Sequence, residues 1–198
     1  MAYHHGDLAT ALVQAAVELS REGGPSAVTI REATRRAGVS PNAAYRHFPN
    51  RAALLDATAA AIQQGLAAAM TDAPERSPAA RLRRIGVAYV DFALDEPGWF
   101  AVVFFGIRPP DSATVREAPA FVALTGALDD LVAAGELSAE RRDDAAWACW
   151  ATVHGFAELC LRGPLAGVDR AEQRRRAEVA IRAVVAGIRS EDADSSAA

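Results

Sequence analysis

Apolar residues recur along most of this chain at spacings of three and four, the period of a helix with one buried face. Leu8, Leu12, Ala15, Ala16 and Leu19 form the first such stripe and predict a helix over 7–21, stopped by Gly23-Gly24-Pro25. Thr29 is a good N-cap, and Ile30, Ala33 and Ala37 predict a second, short helix that ends at Gly38. Ser40 and Pro41 restart a helix at once, because serine caps exposed N–H groups and proline suits the first helical position. This third helix should run to about Phe48, where Pro49 closes it. Asn50 then caps an alanine-rich helix over 50–70, and the proline-bearing stretch 71–77 is the clearest boundary in the chain.

The second half continues the helical period. A helix over 77–96 carries Leu82, Ile85, Tyr89, Phe92 and Ala93 on one face, with Arg81, Arg83 and Arg84 near its start. Trp99 to Phe105 is the most apolar segment; its all-helical surroundings favour a short buried helix over a strand, and a turn-rich loop follows over 108–112. A helix over 112–134 should kink at Pro119. The next, over 139–162, bears Trp147, Trp150 and His154 along one side and Cys149, Val153, Phe156 and Cys160 along another, so both sides should be buried. The last, over 169–189, has a stripe of Ala177, Ala180, Ile181, Val184, Val185 and Ile188. Paired across a two-fold axis, these last two helices would build a four-helix bundle, with Val153, Phe156, Cys160, Ala177, Ile181, Val184, Val185 and Ile188 at the interface. Residues 190–198 read as an acidic, disordered tail. The expected fold is all-α, about nine helices: an N-terminal helix-turn-helix domain over 1–49, a linking helix over 50–70, a C-terminal domain over 71–190 and a tail over 191–198.

Composition narrows the function. The 198 residues suffice for one sizeable core or two small ones, and no run approaches the roughly 18 uncharged apolar residues of a membrane span. With no secretory leader pattern, a cytoplasmic protein is expected. Cys149 and Cys160, eleven residues apart on one helix, would stand about 16 Å from each other, which excludes a mutual disulfide and reads as two small buried thiols. The net charge of −4 argues against a protein that coats DNA indiscriminately. Its distribution says more: residues 1–51 hold six arginines against four acids, and the remainder holds 15 against 21. There is no lysine. A basic head on an acidic body suits DNA binding at one end.

A helix, a short glycine-containing turn and a second helix is the arrangement that lays a recognition helix in a DNA major groove. The run T-I-R-E-A-x-R-R-A-G-V-S-x-x-x-x-Y-R-H-F-x-N-R-x-x-L-L, from Thr29 to Leu55, resembles the N-terminal domain of tetracycline-repressor (TetR) type transcriptional regulators. Tyr3-His4-His5-Gly6-Asp7-Leu8 matches a common start in one branch of that family, and Trp150 to Gly155 resembles the Trp-x-x-x-His-Gly signature of the same branch. Thr34 stands where the family usually has alanine, and Ala9 to Ala11 lack basic residues often found there.

The resemblance implies a bacterial, homodimeric regulator, most often a repressor, that binds a palindromic operator in double-stranded DNA and leaves it when a lipophilic small molecule binds. By motif position, Asn42, Ala43, Tyr45 and Arg46 face base edges, while Thr29, Ser40, Tyr45, His47 and Arg51 meet phosphates, with Pro41 at the helix start. Phe48 reads as core. His4 and His5 have three readings: a tail, a metal site or an arm on the DNA backbone. Tyr89, Phe92, Trp99, Phe100, Phe104, Phe121, Trp147, Trp150 and His154 are the candidate ligand pocket; any one of them alone reads more readily as core, and only the resemblance brings the set level with a pocket. No catalytic or metal motif and no cofactor signature is present, so an enzyme is not expected. The rival reading is a helical small-molecule receptor or interaction protein without specific DNA binding.

Overall fold

The computed structural model describes residues 5–72, 75–106 and 111–195, with side chains described from 8 to 189. Tyr3 and His4, Pro74, and most of the loop expected over 108–112 lie outside the described residues, as does the His5 side chain. Among those described there are ten α-helices, one 3-10 turn and no strand. They are α1 (His5–Ala27), α2 (Ile30–Ala37), α3 (Pro41–Ala44), α4 (Arg51–Thr71), α5 (Pro78–Asp95), α6 (Pro97–Phe105), α7 (Ser112–Glu117), α8 (Pro119–Ala133), α9 (Arg142–Leu161) and α10 (Arg170–Ser195).

Helix starts follow the side chains that cap them. The Thr29 hydroxyl accepts from the Glu32 amide at 3.1 Å, Ser40 from Ala43 at 3.4 Å, Asn50 from Ala53 at 2.9 Å, Ser77 from Ala80 at 3.2 Å and Asp169 from Glu172 at 3.0 Å. Each satisfies an amide that the helix itself leaves unpaired. Gly38 ends α2 in the left-handed conformation, φ 68°, with the Val39 amide donating back to the Thr34 carbonyl at 3.0 Å. α1 breaks where Gly23 and Gly24 predict, Gly24 at φ 64°, and one further turn resumes at Pro25.

Three elements differ from expectation. The kink foreseen at Pro119 is a complete break, because Ala118 turns to an extended conformation, ψ 134°, ahead of the proline ring. The single helix expected over 112–134 is therefore α7 and α8. α10 runs to Ser195, so the tail expected to be disordered is helical up to that residue; its Ser-Glu-Asp-Ala-Asp-Ser sequence holds no glycine or proline to stop the helix. α3 is also shorter than expected, giving way at Tyr45 to turns that carry the chain to Phe48.

The chain divides into two units. The first comprises Met1–Gly65 and Glu96–Ser112, the second Leu66–Asp95 and Ala113–Ala198. The linear boundary expected near 71–77 is thus replaced by an exchange, in which α6 belongs with the N-terminal helices. In the first unit α2 and α3 pack on α1, and their core is Leu12, Ala16, Leu19, Val28, Ile30, Ala33, Ala44, Phe48 and Leu54. α6 packs along the other length of α1. The Trp99 indole donates to the Val17 carbonyl at 2.8 Å, Arg21 pairs with Glu96 and lies over the Trp99 ring, and Gly98 presses on the α1 backbone. In the second unit α10 packs on α5 and α9, while α5 and α9 both pack on α8.

Candidate nucleic-acid interface and cavity

The helix-turn-helix is held from behind. Ala44 and Phe48 point into the first unit's core, which leaves the opposite side of the α3 turn to solvent. There Pro41, Asn42, Tyr45 and Arg46 are exposed, Ala43 and His47 are half-buried, and Tyr45 leaves 53% of its surface uncovered, an unusual cost for an aromatic ring without a partner surface. Charge is sorted on the same unit. Arg35 pairs with Glu32, and Arg36 with Glu22 at 2.8 Å and Glu18 at 3.5 Å, so the carboxyls of Glu22 and Glu32 sit below their ordinary range. Arg31 and Arg46 make no ion pair among the described residues, and both are exposed.

Arg51 has a task that the sequence reading did not foresee. Its guanidinium donates to the Val28 carbonyl at 2.7 Å and to the Pro25 carbonyl, tying the end of α1 to the start of α4. A five-donor fork can reach both carbonyls at once, although the Pro25 carbonyl also accepts from the Val28 amide at 3.3 Å. The phosphate contact expected of Arg51 therefore competes with this internal bond.

The aromatic set expected to form one pocket is split. Trp99, Phe100 and Phe104 stand on α6 in the first unit; Phe100 and Phe104 are buried there. The others belong to the second unit, where rings run in contact from Trp147 to Phe121 (5.2 Å), to Trp150 (5.4 Å) and on to Tyr89 (6.0 Å). His154 stacks on Trp150 at 5.8 Å, and the Tyr89 hydroxyl is 2.9 Å from its Nδ1. An apolar cavity opens beside this ladder, lined by Tyr89 and Trp150 of the expected set together with Met70, Leu82, Ile85, Gly86, Ala120, Leu124, Cys149, Val153, Ile181, Val184 and Val185. Phe121 and His154 contact the lining Trp150 and Trp147 contacts Phe121, but these three and Phe92 are not in the lining. The aliphatic lining was missed because leucine, isoleucine and valine at helical spacing look the same in a filled core and around a gap.

Burial lowers the His154 pKa below its ordinary 6.5, with Glu158 opposing and Arg162 adding to the shift. The folded chain therefore holds fewer protons at this site than the unfolded one. Stability here should fall as the pH drops through 6.5 and finish falling once it passes the lower folded value. His154→Gln, which can still bond Tyr89, is expected to flatten that part of a melting-temperature profile between pH 7.5 and 5, by about the share His154 contributes. An unchanged profile would assign the acid sensitivity elsewhere.

The stripe expected at a dimer interface is used inside the protomer. Val153, Cys160, Ala177, Ile181, Val185 and Ile188 are buried within the single chain, Val184 lines the cavity and Phe156 is half-buried. A second stripe is left on the outside: Ala148, Ala151, Gly155 and Leu159 on α9, and Val179, Ala183 and Ala186 on α10. Leu159 and Val179 are 44% and 46% exposed. Both cysteines are free. Among the described residues no group of three His, Cys, Asp or Glu side chains is placed to hold a metal, and no helix is long and apolar enough to cross a membrane.

No curated protein sequence matches the chain. Residues 12–58 match the family described as bacterial regulatory proteins, tetR family, and residues 82–186 match the family described as tetracyclin repressor-like, C-terminal domain. Among solved structures, a protein of unknown function from Rhodococcus sp. RHA1 is 29% identical, with a TM-score of 0.75 over 94% of this chain and 98% of that one. A TetR variant from Acinetobacter baumannii AYE in complex with minocycline is 22% identical, TM-score 0.65, over 89% and 93% of the two chains. The regulator FadR from Bacillus subtilis in complex with stearoyl-CoA is 14% identical, TM-score 0.70, over 90% and 98%; these last two show the common fold. With both of its halves matched, one of them over more than half of its length, the chain belongs to the tetracycline-repressor family of DNA-binding bacterial regulators.

Proposed function

We propose that this protein is a cytoplasmic homodimeric repressor that reads a near-palindromic operator through the α3 turn and is released when a lipophilic small molecule enters the second unit. The observation that carries the DNA reading is the outward face of that turn, where Asn42, Tyr45 and Arg46 are exposed on a support packed into the first unit's core and Arg46 makes no ion pair among the described residues. Asn42 can bond adenine in two places and Arg46 guanine, while the Ala43 methyl suits thymine. Thr29, Ser40 and His47, beside the amides at the helix starts, supply phosphate contacts. One such helix reads too few bases to find a site in a genome; two related by a two-fold axis read half-sites about 10 base pairs apart, or a multiple of that. The exposed stripe of Ala148, Gly155, Leu159, Val179 and Ala183 offers the small, apolar surface that close pairing of α9 and α10 with their symmetry mates requires. The apolar cavity, and the ligands held by two neighbours of the same fold, support a small-molecule effector. Release requires that the effector bind the low-affinity conformation better than the DNA-bound one.

Selection of bound duplexes from a random pool should return an inverted repeat. On that repeat, Arg46→Ala is expected to cost about 1–3 kcal/mol and to relax the preference at one base position per half-site. An Arg46→Ala loss that is equal on every sequence would remove the base-reading assignment. No enrichment at low salt from a folded dimer would instead favour a receptor without specific DNA binding.

A further inference from the structure

The wall of the cavity restricts its ligand more than its apolar character alone suggests. Ten of the thirteen lining residues have no polar side-chain atom, and the lining contains no Arg, Asp, Glu or His. The other three are Tyr89, Cys149 and Trp150. Tyr89 has its hydroxyl at His154 Nδ1, 2.9 Å away, and its burial raises its pKa well above the ordinary 10. Cys149 is buried and its thiol is pushed up to about 12, so it too is neutral. Several arginines elsewhere on these helices pair with acids: Arg81 with Asp130, Arg84 with Glu75 at 3.2 Å, Arg170 with Asp91 and Asp95 at 2.9 Å, and Arg189 with Glu136 at 2.7 Å. An ionised group entering this space would shed its water and meet no counter-charge.

Size adds a second restriction. The empty space is about 420 Å³ when its open mouth is counted, while the enclosed cavity is only about 30 Å³. Entry therefore needs side chains to part. The walls come close at Gly86, where a Cβ would stand 3.2 Å from Ile181 Cγ2. Gly86 and Ile181 carry no polar side-chain atom, so parting them costs packing and no side-chain hydrogen bond.

We propose that the cavity takes an uncharged, largely apolar molecule, such as a long-chain alcohol, and rejects the ionised carboxylate of the same hydrocarbon. This rests on the reading of the second unit as the effector-binding half, and it names the chemical class which that half accepts.

The test uses the full-length protein at pH 8 and the uncharged fluorophore N-phenyl-1-naphthylamine, displaced by 1-decanol or by decanoate. Decanol is expected to displace the probe at a concentration at least about tenfold lower than decanoate. Val184→Trp fills the cavity from its half-buried rim, and Ala120→Leu fills it from the opposite helix; either, if folded by its melting curve, should weaken probe binding by at least about tenfold. Decanoate binding as well as decanol, no binding of the probe, or binding untouched by both folded variants would each overturn the proposal. Should decanol bind as expected yet leave operator affinity unchanged, the ligand class stands and the effector reading of this cavity falls.

Discussion

Gly98→Ala should lower the stability of the first unit by about 3 kcal/mol, the upper end of what overpacking one carbon costs. The reason is geometric. A Cβ on Gly98 would lie 2.2 Å from the Ser20 carbonyl oxygen and 3.0 Å from that of Arg21. Both are helix backbone, which cannot move aside as the end of a flexible side chain can, so α6 would have to lift from α1. Lifting it would also stretch the Trp99 bond to the Val17 carbonyl, leave the fully buried Phe100 partly open, and separate Arg21 from Glu96. Urea denaturation followed by Trp99 fluorescence in a Trp147→Phe, Trp150→Phe background would measure the loss. Gly65→Ala is the control: nothing lies within 4 Å of its Cβ position in the exposed part of α4, so alanine there should stabilise by about 0.5–1 kcal/mol. Equal midpoints for Gly98→Ala and the parent would mean that α6 does not seat on α1 in solution. The same variant speaks to function, because α1 supports both α2 and α3.

Leu159→Arg should convert the protein to a monomer and lower operator affinity by about a hundredfold to ten-thousandfold, the advantage of linking two half-site contacts. Leu159 is 44% exposed, on the outward stripe of α9 with Ala148, Ala151 and Gly155, so the protomer itself loses little when it changes. At a two-fold interface each arginine would meet apolar surface or its own symmetry mate, and either costs several kcal/mol without a partner. Sedimentation equilibrium and operator titration of the same preparation separate the two effects. A variant that remains dimeric with unchanged affinity would move the interface off this stripe. By contrast, Ile181→Arg would disrupt the protomer's own core, because Ile181 packs against Gly86 and lines the cavity.

The signals that were local in sequence were legible. Thr29, Ser40 and Asn50 cap the helices that they announce and Gly38 turns left-handed where a helix must stop, because each depends on atoms within about one turn. Pro119 was legible as an interruption, though its depth was not. Asn42, Tyr45 and Arg46, assigned to the DNA side by the family resemblance, are all exposed.

What the sequence determined by itself, then, is most of the helices, most of their ends and the helix-turn-helix that marks the family. Tertiary structure decided which helix keeps company with which. α6 is apolar nearly all round, so its pattern names no partner; only Gly98 against Ser20, and Trp99 at Val17, assign it to α1. α9 and α10 each carry two faces that could be buried. Periodicity shows both, but only the packing of α5 reveals that Ile181 and Val185 face inward and leaves the alanine-rich side exposed. Arg51 was drawn to two carbonyls more than twenty residues away in sequence. Local choices are set by backbone geometry over a single turn, whereas these depend on which distant surfaces exclude water together, and a linear pattern carries no information about that.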